Sequence, residues 1–171
     1  TGMGLERIAM IVQNKDNIFE IDVMQEIISE IETASNVKYN ENPKTDISIR
    51  VIADHAKAMT FLISDGVLPS NEKRGYVLRR LIRRAYRHGK LLGIEGEFLS
   101  KIVKKVIGTY KFEYDELIEN ENEIIDVIIE EEERFQKTID QGLDRLYSLI
   151  DEMKENNEKV LDGAEAVSYT H

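Results

Sequence analysis

Apolar residues recur along this chain at intervals of three and four, and the elements they predict are helices. Behind a permissive start, Thr1-Gly2-Met3-Gly4, the run Leu5 to Val12 continues as a short apolar helix. Ile18, Phe19, Ile21, Val23, Met24, Ile27, Ile28 and Ile31 predict a buried helix from about Asp22 to Thr33. Asn36 to Asp46, with Asn40, Asn42 and Pro43, reads as a loop, and Thr45 or Asp46 is placed to cap the next helix. From Ile47 to Ile63 the set Ile49, Ile52, Ala53, Ala56, Met59, Thr60 and Ile63 keeps helical spacing. Glu95 to Ile107 predicts another amphipathic helix, with Lys101, Lys104 and Lys105 off its apolar face.

Tyr114 to Met153 predicts one long helix, about 60 Å if unbroken. Two heptad series run through it. One passes through Ile118, Ile125, Glu132, Ile139, Leu146 and Met153, the other through Glu121, Ile128, Phe135, Gly142 and Leu149, and eight of the eleven positions are apolar. Such a seam is coiled-coil-like and is expected to pack within the chain against the shorter helices. Gly142 either permits close approach or bends the helix. The run Glu130 to Glu133 reads as a solvated stretch rather than a metal site, and Asn156 to Ala164 ends the helix.

Charge changes the picture at one place. The chain's formal net charge is -10, yet the window from Lys73 to Ile94 carries eight Lys or Arg residues and no acid. With helical steps of about 100°, Leu78, Leu81, Ile82 and Ala85 share a side, and Arg79, Arg80, Arg83, Arg84 and Arg87 fan across the other. Guanidinium forks match phosphate oxygens in pairs and stay charged at any physiological pH. A solvated helix face is the plain alternative, but five arginines without an interleaved acid lack the pairs that normally neutralise one. Nucleic acid is the favoured ligand class. Pro69-Ser70-Asn71 leads into this helix, where Ser70 or Asn71 can cap free N–H groups and Gly75 relaxes the first turn. An amide at a helix tip is equally able to donate to and accept from a base edge.

Composition narrows the class. With 171 residues, 42% of them hydrophobic, and only two prolines, the chain is expected to form an all-α helical bundle with one long C-terminal coiled-coil-like helix. It has no cysteine and three scattered histidines, so no disulfide framework, zinc knuckle or other metal site is expected. No apolar run approaches the roughly 20 residues of a membrane span and there is no signal-peptide layout, so a cytoplasmic protein without membrane partners is expected. His55 beside Asp54 suggests acid-base work, but neighbours on a helix project about 100° apart, and a structural hydrogen bond is the better expectation.

Asp54-His55 through Gly66, and then Leu68 through Gly89, closely resemble the tRNA-recognition region of alanyl-tRNA synthetases. Gly2-Met3-Gly4-Leu5-Glu6-Arg7 resembles the third signature motif of the same class II catalytic domain. The match is densest over residues 2 to 12 and 50 to 92 and thins beyond Phe112. Within that thinner part, Glu119 to Glu121, Glu131 to Phe135 and Thr138 to Gly142 look most like the archaeal branch. Lys57 stands where the family commonly has arginine and Lys73 where it commonly has glycine.

The resemblance implies two parts: residues 1–14 as the end of a catalytic domain, and residues 15–171 as a helical tRNA-recognition domain. It implies that Arg7 matches the arginine gripping the terminal phosphates of ATP, with Glu6, Gly2 and Gly4 around it. ATP and magnesium belong to the full-length enzyme. The strands and first two motifs that hold adenylate lie outside this chain, so no complete catalytic site and no cofactor of its own are expected. The resemblance further implies binding of the acceptor stem of alanine tRNA, with Asn71 reading a G·U wobble pair and Lys73, Arg74, Arg79, Arg80, Arg83, Arg84 and Arg87 holding the RNA. Val160 to Gly163 resembles the turn into the family's last reading element, where an acid assists the asparagine; the tail Ala166 to His171 offers no acid there, whether Tyr169 or His171 is aligned with it. The competing expectation is a helical protein-interaction scaffold whose arginine face is merely solvated.

Overall fold

Helices account for every regular element among the residues that the computed structural model describes, which are 2–155, 160 and 163. They are α1 (Leu5–Val12), α2 (Asp22–Ser35), α3 (Pro43–Ser64), α4 (Lys73–Leu91), α5 (Leu99–Tyr110), α6 (Glu116–Glu119) and α7 (Glu121–Glu155), with a single 3-10 turn at Ile18–Glu20 before α2. The chain divides into two compact units, the first ending at Glu132 and the second beginning at Glu133.

Helix α3 is the centre of the first unit and packs against α2, α4, α5 and α6. Its Ile49, Ile52, Ala53, Ala56, Met59 and Ile63 are buried, as the spacing of the sequence demands. Facing them are Met24, Ile27, Ile28 and Ile31 of α2, Leu78, Ile82 and Ala85 of α4, and Ile102, Val103 and Val106 of α5, all buried. Gly89 of α4 lets Phe98 come close, since a Cβ there would stand 2.0 Å from the ring. Phe98 stacks on Tyr86 with ring centroids 5.9 Å apart.

Three boundaries differ from the sequence expectation, two because a polar group commits elsewhere and one because a glycine turns the chain. Helix α3 begins at Pro43, inside the expected loop: the Asn42 side chain accepts from the Lys44 N–H at 3.0 Å, and proline suits the first helical position. Thr45 and Asp46 do not cap it; the Asp46 carboxylate takes the Asn40 N–H at 2.9 Å instead. Helix α5 starts at Leu99 rather than Glu95, after Gly96 adopts a φ of 65°. The single helix expected from Tyr114 is two helices separated at Asn120, whose amide donates to the Ser64 carbonyl at 3.2 Å.

The acidic run Glu130 to Glu133 is not the solvated stretch expected of it. Glu131 and Glu132 are buried, 2% and 1% exposed, and continue the stripe of Ile124 and Ile128. Of the expected seam, Ile125 and Ile128 are buried in the first unit; in the second, Phe135, Ile139, Leu149 and Met153 are partly buried, while Leu143, Leu146 and Tyr147 of α7 are exposed. Helix α7 runs through Gly142, whose missing Cβ would meet nothing within 4 Å. The expected break over Asn156 to Ala164 and the tail Ala166 to His171 lie outside the described residues, Val160 and Gly163 excepted.

Candidate nucleic-acid interface

Local sequence fixes the approach to α4. Leu68 and Ser70 fold back on Gly75 so closely that a Cβ there would lie 2.4 Å from the Leu68 carbonyl and 2.3 Å from Ser70 Oγ. Gly75 is therefore needed for close approach, rather than for the looseness expected of it. Neither Ser70 nor Asn71 caps the helix. Glu72 holds the N-cap position without a side-chain bond, and Ser70 Oγ donates to the Glu72 carbonyl at 2.9 Å. Lys73 opens the helix with a left-handed φ of 51°. A cleft of about 390 Å³ lies against this turn, lined by Leu68, Ser70, Lys73 and Arg74 among others.

The arginines of α4 divide into two sets. Arg79 and Arg83 are half-buried, and both donate from Nε to the same oxygen of Glu131, at 3.0 and 2.7 Å. The expectation that this face lacks an acid fails for these two, because α7 supplies one from 52 and 48 residues away. Arg79 also donates from Nη1 to Asn71 Oδ1. Arg74, Arg80, Arg84 and Arg87 are exposed, and among the described residues none of them forms an ion pair. With Lys73 and Tyr76 they line the outer side of the helix.

Two further groups tune this surface. His88 Nδ1 bonds Ser48 Oγ at 2.9 Å, tying α4 to α3. Burial, with the charges of Arg84 and Arg87, holds the His88 imidazole below its ordinary value, so it adds no charge at neutral pH. Asp54 Oδ2 meets His55 Nδ1 at 2.9 Å, the structural bond expected of that pair. That bond holds the Asp54 carboxyl below its ordinary value, with Lys57 and Arg84 adding to the effect.

The motif-like N-terminus forms a separate arrangement. Gly4 precedes α1, and its carbonyl accepts from the Arg7 N–H at 3.1 Å; Gly2 and Arg7 are exposed. Glu6 is bonded to Lys57 of α3. That bond lowers the Glu6 carboxyl; burial pulls the Lys57 ammonium down, but Glu6 and Tyr110 outweigh it and leave it raised. Among the described residues Arg7 forms no ion pair. Sequence reasoning missed Glu131, Glu132 and the Glu6–Lys57 pair. The readable signal was position: Glu131 and Glu132 fall three and four residues after Ile128, on the apolar stripe.

Comparison with known proteins gives the family. A family described as tRNA synthetases class II (A) matches residues 1–170. The alanine–tRNA ligase of Clostridioides difficile (strain 630) is 55% identical over 166 residues, 97% of this chain and 19% of the relative. Those of Alkaliphilus metalliredigens (strain QYMF) and Lachnoclostridium phytofermentans are 52% and 51% identical over the same shares. The chain therefore spans about a fifth of the length of these relatives. On the match over residues 1–170 and on these relatives, the chain belongs to the class II (A) tRNA synthetases, and its region is that of an alanyl-tRNA synthetase.

Proposed function

We propose that this chain is the tRNA-recognition portion of an alanine–tRNA ligase: it binds the acceptor stem of alanine tRNA and reads its G·U wobble pair for ATP-dependent aminoacylation by the full-length enzyme. The observation that carries this is the outer side of α4, where Arg74, Arg80, Arg84 and Arg87 stand exposed and, among the described residues, form no ion pair, and Asn71 sits at the helix tip. A wobble pair displaces uracil and leaves guanine's exocyclic amino group unpaired in the minor groove, which in A-form RNA is wide and shallow enough for a side chain. Phosphate contacts from the arginines set the register, and an amide then meets the base edges. One good bidentate contact discriminates by about 1–3 kcal/mol on the scale measured for DNA.

Within this reading residues 1–14 close the catalytic domain and residues 15–171 form the recognition domain. Arg7 fits a terminal phosphate of ATP, and Gly2 and Gly4 leave space around it, since a Cβ at either would meet nothing nearer than 3.9 Å. Glu6, already held by Lys57, serves to fix α1 against α3. The archaeal likeness of Glu119 to Gly142 finds no support in the organisms of the relatives named above. Among the described residues no helix is long and apolar enough to cross a membrane.

Titrating the chain with two acceptor stems that differ only in the wobble pair tests the reading. The wobble stem should bind tighter, and Asn71→Ala should bring the ratio close to one; an unchanged ratio removes base reading from Asn71. The exposed Leu143, Leu146 and Tyr147 of α7 favour a second reading, a helical scaffold for a protein partner. That reading predicts that reversing the charge at Arg80 and Arg84 leaves RNA affinity unchanged.

A further inference from the structure

The acid buried against α4 has a place in the reading step. Glu131 Oε1 accepts from Arg79 Nε at 3.0 Å, and Arg79 donates from Nη1 to Asn71 Oδ1. Glu131 is 2% exposed, Arg79 24% and Asn71 is at the surface, so the three form a line from the interior to the helix tip. A guanidinium has donors only, so the end of the Asn71 amide that faces it must be the oxygen. Rotating the amide by half a turn would set NH₂ against N–H and lose the bond. Among the described residues Asn71 Nδ2 makes no hydrogen bond, which leaves it, with the second lone pair of Oδ1, for a ligand.

We infer that Glu131 is a positioning residue for base discrimination: through Arg79 it fixes which end of the Asn71 amide is presented to the RNA. The inference rests on the reading of Asn71 proposed above. Its content is separate, because it assigns selectivity to a buried carboxylate that touches no RNA and removes Arg79 from the set that simply holds phosphates. An amide free to turn presents donor and acceptor interchangeably. It contacts either stem and distinguishes them poorly.

The test measures both dissociation constants, wobble and Watson–Crick stem, for the 171-residue chain and three variants, with helix content checked by circular dichroism. Asn71→Ala tests the base reading. Arg79→Lys keeps the charge but loses the fork that bridges Glu131 and Asn71, and Glu131→Ala removes the anchor. The expected result is that Arg79→Lys and Glu131→Ala each lower the wobble preference at least fivefold while the Watson–Crick stem stays within threefold. If Asn71→Ala levels the ratio but both other variants keep it within twofold, the inference is overturned and the base reading stands. Equal weakening of both stems also overturns it, by assigning Arg79 and Glu131 to phosphate holding or to folding. A native chain that does not distinguish the stems, or an Asn71→Ala ratio that does not move, refutes the base reading instead. Should Glu131→Ala lose its helix content, Arg79→Lys decides, since that side chain is partly exposed and its charge is retained.

Discussion

Glu132 shows how one side chain sets a helix boundary. Its Oε1 accepts the Phe98 N–H at 2.9 Å and the Leu99 N–H at 3.4 Å, satisfying free donors at the start of α5, while Oε2 is buried without a hydrogen-bond partner among the described residues. Burial pushes this carboxyl up to about 7, against the pull of the two backbone N–H groups. In the unfolded chain it returns to about 4.5, so between those values the folded state keeps a proton that the unfolded state has released. Its stabilising share is complete below about 4.5 and is lost as pH rises through about 7. Glu132→Gln keeps an acceptor for both N–H groups and cannot ionise. Urea denaturation at pH 5 and pH 8 should show the variant's stability falling less across that interval, by roughly 2–3 kcal/mol. An equal fall in both proteins would place the Glu132 carboxyl near its ordinary value.

Among the elements, glycine marks where helices need neighbours close and where they do not. A Cβ at Gly75 would collide with the Leu68 carbonyl, and backbone cannot move aside as a side chain end can. A Cβ at Gly108, inside α5 and exposed, would meet nothing within 4 Å. Gly75→Ala should therefore lower stability by about 1–3 kcal/mol, and Gly108→Ala should raise it by about 1 kcal/mol. Both are read from urea midpoints. Helical spacing made α1 to α4 legible, but the extra starts and stops depend on bonds between distant residues. Asn120 interrupts an apolar pattern that continues through it, because its amide is held by Ser64 of another helix.

For the whole molecule, a formal charge of -10 coexists with a cationic helix face because salt screens charges beyond about 8–10 Å. Binding by that face should depend on salt in proportion to the phosphates it neutralises. Arg80→Ala and Arg84→Ala should each weaken both stems similarly and flatten the plot of log affinity against log salt by about one phosphate's worth. Arg83→Ala should flatten it less, since that guanidinium already serves Glu131. A steeper slope for any of the three would count against phosphate contacts from α4. The basic helix and the asparagine at its tip were readable from residues close together in sequence. The division of its arginines was not, because the acid that divides them lies about fifty residues on.

By itself the sequence determined an all-helical chain, the apolar faces of α2 to α5, the concentration of arginine on one helix and the family to which the chain belongs. The first three are properties of spacing and local composition, which neighbouring residues settle among themselves, and the family rests on the resemblance of motifs. Only the tertiary structure decided which arginines are engaged and which end of the Asn71 amide is held. It also decided that two glutamates in an acidic run are interior groups. A charge leaves water only where partners from other elements surround it, and that arrangement exists only once the helices have packed.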